Sequence, residues 1–198
     1  MSQIHLIFLL FIYLLISPSF SSTKTNNTTY SFVISACNTT RYPTLCTKTC
    51  LPYATKIDND PRKLAGVSLS AALTATTTAS SALTELSNRE NLGEYEAGVV
   101  QDCIENVGDS IDDVKKAIKE VNDLGEYGNK EINTNKFRFK VSNIQTWMSA
   151  ALTNLNTCRD GIGEGEVSSF VKSRIKKITL RVMRLTSIAL SLCNHLQI

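Results

Sequence analysis

The sequence predicts an all-α fold: an up-down-up-down four-helix bundle that carries an N-terminal helical hairpin and is stapled by disulfides. Three observations point there. Three segments repeat apolar residues at alternating spacings of four and three, the period of one helix face. The chain has 198 residues with only 9 Gly and 4 Pro, too little punctuation for a many-turned β-sandwich. Short links between long helical segments make consecutive helices antiparallel neighbours. With 42% apolar and 20% charged residues, the composition is that of a packed domain and not a disordered chain.

The first element is read as an address. Ile4 to Ile16 is apolar apart from His5, too short to span a bilayer comfortably, and is followed by Ser19-Phe20-Ser21. This predicts a secretory signal peptide over residues 1–21, cleaved after Ser21, although its n-region lacks Lys and Arg. Secretion places all six cysteines in an oxidising compartment. Asn26, Asn27 and Asn38 each begin an N-x-[ST] sequon, a glycosylation signal that fits a secreted chain. No later run is long enough to span a membrane, so the product is expected to be soluble; with the leader it is expected to be extracellular, and it is expected to be a monomer when free.

Residues 22–60 form an N-terminal extension and hairpin, and 61–198 form the bundle; 30–60 belongs with the bundle as one domain. Within the extension, Tyr30 to Asn38 and Pro43 to Ile57 read as two short helices. The first long helix runs from Pro61 to about Asn88, with Asp60 as N-cap and Pro61 at the first helical position. Its stretch Ala71 to Leu83 is mostly small, which suits close helix packing or, alternatively, a shallow face for a partner.

The second helix, 94–122, carries the stripe Val100, Ile104, Val107, Ile111, Val114, Ile118, Val121. The third, 136–160, carries Phe137, Val141, Ile144, Met148, Ala151, Leu155, Cys158. The fourth carries Val167, Val171, Ile175, Ile178, Val182, Leu185, Ala189, Leu192. Asn91-Leu92-Gly93 separates the first two helices. Gly125 and Gly128 end the second, and Gly161, Gly163 and Gly165 end the third.

In antiparallel neighbours, residues equidistant from the turn face each other. The midpoint of positions 103 and 158 falls inside the 123–135 link, so a Cys103–Cys158 disulfide fits the topology, with a contribution of roughly 2–4 kcal/mol. Cys37 and Cys46 flank the turn-rich NTTRYPTL and make a second bridge. Cys50 and Cys193 are left as a third bridge or as buried free thiols.

Charge is segregated beneath a net +3. Residues 85–126 hold 12 acids against 4 bases, and residues 170–198 hold 6 bases and no acid. Two solvated faces that partly neutralise each other explain this, or an acidic surface that steers a basic partner. Nucleic acid does not suit a secreted chain whose basic residues concentrate in one helix. Catalysis is disfavoured: His195 is the only histidine after the leader, and no H-E-x-x-H, C-x-x-C or phosphate-loop motif occurs. Asp109, Asp112 and Asp113 form no cleft signature and read as solvated surface. No metal or cofactor is called for.

Against this background the chain resembles the plant invertase and pectin methylesterase inhibitors over its whole length after the leader. The resemblance rests on Cys37-x8-Cys46 with Tyr42-Pro43 and Leu45, and on Asp102-Cys103 opening the acidic helix. It rests further on Thr146-Trp147-Met148-Ser149-Ala150-Ala151-Leu152-Thr153-Asn154, Thr157-Cys158, Asp160-Gly161 and Leu185-Thr186-Ser187-Ile188-Ala189-Leu190. It implies a four-helix bundle with a hairpin, bridges at Cys37–Cys46 and Cys103–Cys158, and no catalytic residues. The implied activity is one-to-one blockade of the active-site cleft of a pectin methylesterase in the cell wall, which limits demethylesterification of pectin. The bundle also occurs as the pro-region of some pectin methylesterases; here the chain ends with the bundle, so no esterase domain is expected. Two departures are Gly108, where a better helix former is usual, and Ile188, where Asn is common.

Two other readings are an inhibitor of acid invertase and a non-inhibitory binding or signalling module. Arg159 after Cys158, where invertase inhibitors more often place Glu, and the lack of a Pro-Lys-Phe element favour the esterase. The partner-binding residues expected are Glu94, Asp102, Glu105, Asp109 and Asp113 on the acidic helix, meeting a basic esterase surface, with Thr157 as an interface or packing residue.

Overall fold

The structure, a computed structural model, describes residues 27–89, 91–124, 133–163 and 167–197. The expected leader, Asn26, Gly125, Gly128 and Gly165 lie outside the described residues. The hairpin consists of α1 (Asn27–Asn38) and α2 (Pro43–Cys50), continued by a 3-10 turn (Leu51–Tyr53) and the single turn α3 (Ala54–Ile57). The long helices are α4 (Pro61–Ser87), α5 (Glu94–Asn122), α6 (Thr134–Gly161) and α7 (Ser169–Asn194). Among the described residues there is no strand.

The helix starts follow from their capping residues. Asp60 Oδ1 accepts from the Arg62 amide at 2.8 Å and the Lys63 amide at 3.4 Å, with Pro61 in the first position that needs no donor. Asn133 Oδ1 accepts from the Lys136 amide at 3.0 Å, and Ser168 Oγ from the Val171 amide at 3.3 Å. Between α3 and α4 the chain reverses through two left-handed residues, Asp58 (φ 50°) and Asn59 (φ 58°), side chains that tolerate this region better than most.

The bundle closes as a ring. α4 packs against α5 and α7, and α6 packs against the same two, so α5 and α7 stand on a diagonal. The hairpin covers one end and packs on α4 and α7. Two apolar clusters fill the interior. One, at the hairpin end, includes Val33, Ile57, Leu69, Ile144, Met148 and Ile188. The other, at the far end, includes Leu83, Val107, Leu155, Ile162 and Ile175. Each fully buried Leu or Ile contributes roughly 1.5–3 kcal/mol.

The stripe on α6 is buried at all seven positions. On α5 the period holds but the phase is corrected. Cys103, Ser110 and Ala117 are buried, while Ile104, Ile111 and Ile118 are only half-buried beside them. The reason is steric: small side chains at the interface let α5 and α6 approach closely, which three isoleucines would prevent. The same substitution occurs once on α7, where Thr179 is buried and Ile178 half-buried. On α4 the small residues divide. Ala65, Ala72, Thr76 and Ala79 are packed inside, whereas Ala71, Thr74 and Thr78 reach the surface.

Disulfides join Cys37 to Cys46 (Cα–Cα 5.4 Å) and Cys103 to Cys158 (Cα–Cα 4.6 Å). The first ties α1 to α2 and the second ties α5 to α6. No third bridge forms between Cys50 and Cys193: both are buried free thiols in the apolar cluster at the hairpin end. The Cys50 sulfur lies within 4.8 Å of both sulfurs of the Cys37–Cys46 bridge.

Candidate functional site

The residues singled out on α5 do not all face solvent. Glu94, Asp102, Glu105 and Asp109 are exposed, and at 100° per residue they fall on one side of the helix. Glu94 also sits in the first turn, where a carboxylate complements the helix dipole. Asp113 is different and corrects the expectation of a free surface acid. It is buried, with Oδ1 3.1 Å from Lys116 Nζ and Oδ2 accepting from Asn154 Nδ2 at 3.5 Å. It is a structural link between α5 and α6 and not an open contact. Asp112 is exposed but paired with Lys115 at 3.2 Å.

On α6 the specific Thr146–Asn154 motif splits by helix face. Met148 and Ala151 enter the core, and Thr146, Ser149 and Thr153 face solvent. Trp147 is half-buried, with Lys116 Nζ 4.5 Å from its ring centroid. Thr157 is exposed and its hydroxyl donates to the Thr153 carbonyl at 3.1 Å, so it is available to a partner and does not serve core packing. Asp102 and Thr157 immediately precede the two bridged cysteines. With neighbouring Cα atoms about 3.8 Å apart, the bridge holds these two positions within about 12 Å of each other. The outer faces of α5 and α6 therefore form one surface, acidic on α5 and hydroxyl-rich on α6.

Several fixing contacts were not legible as motifs. Ser110 Oγ donates to the Ala151 carbonyl at 3.1 Å, and Lys140 Nζ spans Glu120 (3.2 Å) and Asp123 (3.4 Å). Arg62 is buried, with its guanidinium 5.0 Å from the Phe137 ring and its Nη1 donating to the Leu124 carbonyl at 3.4 Å. Glu96 Oε1 accepts from the Ser168 amide at 2.6 Å, joining the start of α5 to the start of α7. Hydrogen bonds from Ser168, side chain first and then amide, hold the Glu96 carboxyl below the ordinary carboxylate range, with a smaller contribution from the Gly93 amide. These partners lie 17 to 75 residues apart, and no local pattern announces them.

The expectation that acidic and basic faces neutralise each other is also revised. α5 and α7 stand on a diagonal, so the acidic stripe and the basic residues of α7 belong to opposite sides of the bundle. Asn38, the sequon residue at the end of α1, is exposed. The Thr40 of that sequon is buried, its hydroxyl donating to the Cys37 carbonyl at 2.8 Å. Among the described residues no helix is long and apolar enough to cross a membrane.

Comparison with known proteins agrees with this architecture. The chain is 37% identical to Pectinesterase inhibitor 9 of Arabidopsis thaliana, over 98% of this chain and 93% of that protein. It is 36% identical to Pectinesterase inhibitor 10 of the same plant, over 88% of this chain but 54% of that longer relative. Its fold matches the crystal structure of mutant form A of a pectin methylesterase inhibitor from Arabidopsis, with a TM-score of 0.59 at 20% identity, covering 83% of this chain and 97% of that one. Residues 31–192 match the family model for plant invertase/pectin methylesterase inhibitor. The chain belongs to the plant invertase/pectin methylesterase inhibitor family.

Proposed function

We propose that this protein is a secreted, non-catalytic inhibitor of a plant pectin methylesterase, acting one-to-one in the cell wall. The observation that carries the reading is the 37% identity, along nearly the full length of both chains, to a protein named as a pectinesterase inhibitor. The site geometry supports it. The acidic stripe of α5 and the hydroxyl face of α6 are locked side by side by the Cys103–Cys158 bridge, so the surface is organised before any partner arrives. Pre-organisation lowers the cost of ordering side chains on association.

In this reading, the joined outer face of α5 and α6 lies across the esterase cleft and excludes the polymer. Glu94, Asp102, Glu105 and Asp109 meet a basic rim, and Thr157 contacts the partner beside the bridge. Asp113 holds α5 to α6 and acts indirectly. Exposed charges of this kind steer encounter more than they tighten the final complex, and they are screened by salt. Replacing the four exposed acids together by Ala should slow association with the esterase and flatten its salt dependence. Unchanged association at low salt would remove the acidic stripe from the interface.

A further inference from the structure

Along α4, away from the residues of the acidic stripe, runs an elongated cationic groove, and its lining is unaccounted for by inhibition. The groove has two lobes, of about 770 Å³ and about 690 Å³, that meet at Tyr53, Ala71 and Thr74. The larger lies between the hairpin, α4 and α7, and the smaller between the hairpin turn, α4 and α5. Together their walls follow α4 from Asp60 to Ala82, a length of about 30 Å at 1.5 Å per residue. Lys48, Lys177 and Arg181 stand on the rim of one lobe, and Lys56 and Lys63 on that of the other. All five are exposed, and among the described residues none makes a salt bridge. The single carboxylate in the lining, Asp60, is occupied as the cap of α4.

We infer that this groove binds a linear polyuronate, the de-esterified and carboxylate-bearing form of pectin, and so holds the inhibitor on the polymer. The shape selects an extended chain over a compact ligand. The charge selects a polyanion, because five unpaired cations spread along one groove repel one another until an anion with repeated charges joins them. The floor selects against a protein helix. It is formed by Ala71, Thr74, Ala75 and Thr78, with the Thr74 and Thr78 hydroxyls committed to the Ser70 and Thr74 carbonyls, and it offers no deep recess for an anchoring side chain. Tyr53, half exposed where the lobes meet, presents an aromatic face with a polar tip, suited to a sugar ring.

The identity of the polymer rests on the preceding reading, since hydrolysis of pectin methyl esters leaves carboxylates. An inhibitor retained by that product accumulates where the esterase has already worked. Because no residue of the acidic stripe lines the groove, both can be occupied at once.

The test is binding of the secreted chain to polygalacturonate at about 0.1 M salt. Fully methyl-esterified polygalacturonate and poly-glutamate serve as comparison polymers. The wild type should bind polygalacturonate and not the esterified polymer. Charge reversal of Lys48, Lys177 and Arg181 to Glu should weaken binding at least about tenfold, and reversal of the exposed Lys136 and Arg138 on α6, the helix diagonal to α4, should not. Circular dichroism establishes that each variant is folded. Equal binding of esterified polymer, equal binding of poly-glutamate, or equal loss from both sets of reversals would overturn the proposal. Esterase inhibition measured on a small soluble ester separates the two readings: its loss in the wild type would sink the inhibitor reading, while polymer binding is scored independently.

Discussion

Ser110 on α5 donates its hydroxyl hydrogen bond to the Ala151 carbonyl on α6, 3.1 Å away across a fully buried interface. The same oxygen lies 2.9 Å from the carbonyl of Asn106 in its own helix. A polar residue in the core is tolerated because it is satisfied, and it is used because it is small. It marks the line along which α5 and α6 come closest, between the Cys103–Cys158 bridge at one end and Ala117 toward the other.

Enlarging that position should cost more than deleting its hydroxyl. Ser110→Leu is expected to destabilise by about 1–3 kcal/mol through overpacking, with α5 pushed from α6. Ser110→Ala should cost only about 1 kcal/mol, the net worth of one hydrogen bond. Thermal or urea unfolding of the two variants measures the order. A Leu variant as stable as wild type would show that the interface is loosely packed.

The phase of α5 shows what a single sequence can and cannot give. The period of its apolar residues identifies the helix and its length, and Asp60, Asn91-Leu92-Gly93 and the short links identify its neighbours. The stripe through Ile104, Ile111 and Ile118 is nevertheless one residue out of phase, because hydrophobicity alone ranks Ile above Ser. Close approach of two helices ranks them the other way. On α6 no such conflict exists, and all seven stripe positions are buried. At the candidate site, the acidic run was legible from composition. The burial of Asp113 was not, because its partner Asn154 is 41 residues away on another helix.

A glycine within a long helix, Gly108, has a measurable consequence. It lies within α5, and a Cβ built there meets nothing within 4 Å. Gly108→Ala should therefore stabilise the protein by roughly 0.5–1 kcal/mol, through helix propensity and reduced freedom of the unfolded chain. The melting temperature reads this directly. A lower melting temperature would mean that α5 needs glycine at this position.

Cys50 and Cys193 should behave as inert thiols. Burial pushes the Cys50 thiol up to about 11 and the Cys193 thiol up to about 12 from an ordinary 9.0. Alkylation of the native protein should add no group, and unfolding without reductant should expose both. These thiols do not alter stability below pH 9.0. Above it the unfolded chain ionises first, so stability falls as pH rises from 9.0 toward the folded values. Modification of the native protein at about pH 8 would contradict their burial.

Glu96 should make stability depend on acid in the opposite sense. Its carboxyl is held below the ordinary 4.5 by Ser168 and Gly93, so its contribution is present above 4.5 and is lost as pH falls through the depressed folded value. Wild type and Glu96→Gln should differ in melting temperature at neutral pH, and the difference should shrink below 4.5. A constant difference from neutral pH down to about pH 3 would show that the charge at Glu96 is not what joins α5 to α7.

The central claim is that this bundle stops a pectin methylesterase. The most direct measurement titrates the purified, disulfide-bonded protein against a plant pectin methylesterase and an acid invertase, side by side at one mildly acidic pH. The account predicts inhibition of the esterase that saturates near one inhibitor per enzyme, with the invertase unaffected. Inhibition of the invertase alone, or of neither enzyme by a folded sample, would contradict it.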